Sequence, residues 1–85
     1  MHEVNQIALW QIAESAPRAM PAYLLACQQI DKKGSATIAR SYIEQDKSMS
    51  WIKFTNDIKS LGRIGLLEWH KAADMINITL AYDDF

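Results

Sequence analysis

Helical spacing of apolar residues through about residue 64, followed by strict apolar alternation over residues 75–82, predicts an α+β, mainly helical domain ending in a two-stranded β-hairpin. Length agrees with this: 85 residues make one domain. A hydrophobic fraction of 49%, with three Trp, three Tyr and two Phe, supplies a core, and a net charge of −1 excludes a charge-driven disordered chain. The layout reads as N-terminal helices over residues 1–31, a helix pair over 35–64 and a hairpin over 66–82.

Val4, Ile7, Ala8 and Ile12 recur at helical spacing, widened by Leu9 and Trp10. Pro17 ends that helix near Ser15, because an interior proline loses a hydrogen bond and clashes with the preceding turn. Pro21 suits the first turn of a second helix, with Met20, Tyr23, Leu24, Cys27 and Ile30 expected inward and Gly34 at a positive φ after it. Ser35 is then expected to N-cap a short helix over residues 36–45, with Ile38, Ala39, Tyr42 and Ile43 on its apolar side. Ser48 or Ser50 caps a longer amphipathic helix in which Trp51, Phe54, Ile58 and Leu61 fall at steps of three and four. All three tryptophans are expected in the core. In the final segment Ile76, Ile78, Leu80 and Tyr82 point one way and Met75, Asn77, Thr79 and Ala81 the other, pairing antiparallel with residues 66–70.

A short helix, a polar turn and a longer amphipathic helix lead through Gly65-Leu66-Leu67 into a hairpin. This order, over residues 35–82, resembles the winged helix-turn-helix superfamily. The resemblance implies a helix over residues 48–61 that enters the major groove of DNA, a wing around Lys71–Asp74, and an additional N-terminal helix of the kind many such regulators use to dimerise. It implies double-stranded DNA as partner, with Lys47, Ser50, Lys53, Asn56, Lys59, Arg63 and Lys71 on the nucleic-acid side. It also implies a homodimer, with Val4, Ile7, Leu9, Trp10 and Ile12 at the seam. The chain departs from the pattern in its short wing, where Lys71 is the one basic residue beside Asp74, in Asp57 on the presumed recognition helix, and in the lack of an arginine within residues 48–61.

Charge is asymmetric. Residues 32–71 hold eight of the nine basic side chains against four acidic ones, a net +4, while both ends are acidic. One contiguous basic face would favour DNA; scattered charge would favour a protein-binding winged-helix module, such as an adaptor or an inhibitor. A purely structural dimerising subunit is the third alternative.

Enzyme chemistry finds no foothold. His2 and His70 lie far from each other and from Cys27, so metal ligation lacks a set at suitable spacing. Lys33-Gly34-Ser35-Ala36-Thr37 lacks the upstream glycine of a phosphate loop, and the acidic residues form no catalytic pair. No cofactor is expected. The lone Cys27 sits in an apolar run and reads as a buried thiol, and with no signal peptide or membrane span the expected compartment is the cytoplasm.

Overall fold

A computed structural model of the chain describes residues 6–47 and 49–81. The elements run α1 (Gln6–Ser15), a 3₁₀ turn (Pro17–Ala19), α2 (Met20–Gln29), β1 (Ser35–Ala39), a π-helical turn (Tyr42–Asp46), α3 (Trp51–Arg63), β2 (Leu67–Ala72) and β3 (Met75–Leu80). The three strands form one antiparallel sheet in the order β1-β3-β2.

Prolines shape the N-terminal part as their chemistry requires. α1 closes with Ala16 N–H donating to Ile12 O at 2.8 Å, and Pro17 then diverts the chain. Pro21 lies in the first turn of α2, where its missing N–H leaves no bond unmade. After α2 the Asp31 carboxylate accepts from the backbone N–H of Lys33 (2.8 Å) and Ser35 (3.1 Å). The Ser35 and Lys33 amides hold that carboxyl below its usual range. Gly34 completes the turn at φ +82°.

The helix expected over residues 36–45 is instead strand β1 followed by a short helical turn. Ser35 is therefore the first residue of a strand and caps nothing, and the sheet has three strands where a two-stranded hairpin is expected. The reason is tertiary. A hairpin alone would leave one edge of β3 with unpaired N–H and C=O groups, and β1 satisfies them. Its β-branched Thr37 and Ile38 suit a strand, and Ile38 stands opposite Ile76 and Ala36 opposite Ile78. On the solvent face Thr37 Oγ1 donates to Asn77 Oδ1 at 2.6 Å.

The hairpin pairs antiparallel as expected, with Leu67 opposite Leu80 and Trp69 opposite Ile78, but β2 runs to Ala72, so Lys71 and Ala72, expected in the wing loop, are strand residues opposite Ile76 and Met75. Ile76, Ile78 and Leu80 are buried while Met75, Asn77 and Thr79 are exposed, so β3 has one inward face. A two-residue turn, Ala73-Asp74, joins the strands with Ala73 at φ +54°. Tyr82, expected on the inward side, lies outside the described residues.

The core gathers Ile12, Tyr23, Cys27 and Ile30 from the N-terminal helices, Ile38 and Ile43 from the middle, Phe54, Ile58 and Leu61 from α3, and the inward side of the hairpin. Trp51 is buried as expected, stacked on Phe54 with ring centroids 6.1 Å apart. Trp10 is not in the core: it is 71% exposed. Leu24, expected inward, is 40% exposed. Trp69 is partly exposed, its indole lying over α3 at Gly62, where an added Cβ would come within 2.9 Å of the ring.

Ser50 caps α3, with its hydroxyl accepting from the Lys53 backbone N–H at 3.3 Å. Ser50→Ala should lower stability by about 1 kcal/mol, read by urea unfolding, whereas Ser50→Asp should retain most of it.

Candidate functional site

On α3 every third or fourth residue, Trp51, Phe54, Ile58 and Leu61, is buried, which leaves the opposite side outward. At 100° per residue Ile52, Asn56, Lys59 and Arg63 fall within one narrow stripe about 16 Å long. Ile52 is 70% exposed, Asn56 and Arg63 are exposed, and Lys59 is half-buried. No carboxylate lies on this stripe.

The two charged groups beside it neutralise one another. Lys53 Nζ bonds to Asp57 Oδ2 at 2.7 Å, and the Asp57 side chain is only 16% exposed. Lys53, expected to contact nucleic acid, is thus committed to an intrahelical pair, and Asp57 presents little free negative charge. Lys59 Nζ lies 5.5 Å from the centre of the Trp69 ring, a cation–π contact that fixes the ammonium where α3 meets β2. Lys71 follows Trp69 on the same side of β2 and is exposed. At the other end of α3, Lys47 Nζ stands 5.5 Å over the Tyr42 ring, close in sequence to the cap Ser50.

The structure therefore draws Asn56, Lys59 and Arg63 into one line, places Lys47 and Ser50 at the start of α3, and puts Lys71 on the hairpin. The hairpin turn is no free arm. Arg40 N–H donates to Asp74 O at 2.7 Å, and the Arg40 guanidinium bridges Glu44 (3.0 Å) and Asp74 (3.7 Å). That bridge holds the Glu44 carboxyl below its usual range.

Of the proposed dimer seam, Ile12 is fully buried in the domain's own core and so lies on no outer surface. Leu9 is partly buried, Ile7 and Trp10 are exposed, and Val4 lies outside the described residues. Leu9, Trp10, Ala13 and Met20 line a shallow apolar groove along α1.

Two further residues of this surface, Ile52 and Arg18, are not among those expected from the sequence. Ile52 is an apolar residue on the polar side of an amphipathic helix, a signal visible in the periodicity. Arg18, on the Pro17–Ala19 turn, had no visible signal. It lines a cleft of about 440 Å³ together with Ser60 and Arg63. That is room for a phosphate group and several waters of about 30 Å³ each.

Among the described residues no group of three or more His, Cys, Asp or Glu could hold a metal ion. Cys27 is buried, and burial raises its thiol above the ordinary range although Tyr23 hydrogen-bonds to it, so it is a poor nucleophile. No helix among the described residues is long and apolar enough to cross a membrane. No family model, curated protein or solved structure matches the chain.

Proposed function

We propose that the chain is a winged-helix DNA-binding domain acting in transcriptional regulation, with α3 as the element that enters the major groove. The observation that carries this reading is the outward stripe of α3: an amide and two cations with no opposing carboxylate, on a rigid helix whose other side is core. A short helical turn before α3 and the β2–β3 hairpin after it support the same reading. Asn56 can pair with the N6 and N7 edge of adenine, and Lys47, Lys59, Arg63 and Lys71 can reach phosphates around it. The hairpin, anchored through Arg40, serves as a buttress beside the duplex more than as a probing wing.

Fluorescence anisotropy with a random-sequence duplex over a salt series tests this. Four phosphate contacts should give a slope of about −3 to −4 in log affinity against log salt. On a selected site, Asn56→Ala should lose about 1–3 kcal/mol of discrimination at one base pair and leave that slope unchanged. Absence of salt-sensitive affinity for any duplex at low ionic strength would remove the reading.

The protein-binding alternative is favoured by one observation, the exposed Trp10 beside the apolar groove of α1. A homodimer through α1 would use Trp10 and the outer part of Leu9, with Ile12 excluded.

A further inference from the structure

The cleft between the Pro17–Ala19 turn and the end of α3 brings together two arginines distant in sequence. Arg18 and Arg63 line it with Ser15, Ser60, Ile64 and Asp57 and with Ala16, Pro17 and Ala19 around the turn. Ion pairs among the described residues join Arg40 to Glu44 and Asp74, and Lys53 to Asp57; neither Arg18 nor Arg63 takes part. The one carboxylate on the wall, Asp57, already has its charge matched by Lys53 at 2.7 Å. Among the described residues no acid pairs with the two guanidinium groups of the cleft, and a guanidinium does not shed its proton.

The placement is rigid. Pro17 fixes the backbone ahead of Arg18, and the turn packs directly on α3. Two arginines lining one cleft suit a tetrahedral oxyanion better than a neutral ligand; the Ser60 hydroxyl on its wall already donates to Asn56 O at 3.2 Å. We propose that Arg18 and Arg63 form a clamp for a phosphate group, and that its source is a phosphodiester of the nucleic-acid backbone. The choice of source rests on the DNA-binding reading, because Arg63 also ends the α3 stripe; the clamp itself does not.

The test uses the full ¹⁵N-labelled chain and observes the arginine Nε–H resonances. Sodium phosphate should shift Arg18 and Arg63 together, and sodium chloride at matched ionic strength should not. Arg18→Ala should weaken the phosphate affinity read at Arg63 by about tenfold, the loss of one charge-assisted contact. Arg18→Lys, which keeps the charge but not the fork, should fall between. In the duplex arm, Arg18→Ala should weaken duplex affinity at low salt by about tenfold and leave sequence preference unchanged.

Arginine signals indifferent to phosphate overturn the clamp, as does an Arg63 response unchanged by Arg18→Ala. A chain that binds phosphate through both arginines but binds no duplex keeps the clamp and removes DNA as its source. A chain that binds phosphate through both arginines, and whose duplex affinity Arg18→Ala leaves unchanged, keeps the clamp and the DNA reading and removes the duplex backbone as the clamp's source.

Discussion

Ile78→Ala should lower the unfolding free energy by about 2–5 kcal/mol, and Thr79→Ala by less than about 1 kcal/mol. Both residues lie on β3, the central strand, one position apart. Ile78 has no exposed surface and stands between Ala36 of β1 and Trp69 of β2, so truncation opens a cavity that strands paired on both sides cannot collapse into. Thr79 is exposed on the other side, its hydroxyl 3.5 Å from that of Ser35, a weak contact with water as a ready substitute. A domain of this size commonly holds about 5–10 kcal/mol in all, so the first variant should be partly unfolded at moderate urea. Equal costs at the two positions in equilibrium urea unfolding would contradict a one-sided sheet.

The double variant Lys59→Glu with Arg63→Glu should weaken duplex binding on the order of 100-fold at low salt and leave the far-ultraviolet circular dichroism unchanged. Two lost charge-assisted contacts at about 1.5 kcal/mol each account for the factor. Both side chains lie on the outward stripe, and the one contact sacrificed within the domain is that of Lys59 on Trp69. Lys53 is an unsuitable probe. Lys53→Glu would strand the mostly buried Asp57 beside a new like charge one turn away, and the result would report on folding. An unchanged affinity in the Lys59/Arg63 variant would place the nucleic-acid surface elsewhere or remove it.

Local pattern carried the helices and the hairpin. Pro17 and Pro21, whose constraints act within one turn, determined where α1 stops and α2 starts. Steps of three and four determined which side of α3 is core, and alternation determined the inward side of β3, because these periods follow from backbone geometry whatever the neighbours are. That Asn56 and Lys59 share the polar side of α3 was legible for the same reason, whereas Arg63 joins them because the helix runs on to residue 63. Residues 35–39 were not legible. Ser-Ala-Thr-Ile-Ala is too short to show a period, and the same Ile38, Ala39, Tyr42 and Ile43 fit a helix side. The unpaired edge of β3, some forty residues away, decided that it is a strand. Tertiary structure also decided the fate of charge and of large apolar groups. It set Lys53 on Asp57, tied Arg40 to the hairpin turn and brought Arg18 and Arg63 to one cleft. It left Trp10 outside because Ala8 and Ile12 already fill the inward side of α1. Periodicity tells a helix which side to bury, but which charges meet across space depends on how separate elements dock, and no local spacing encodes that.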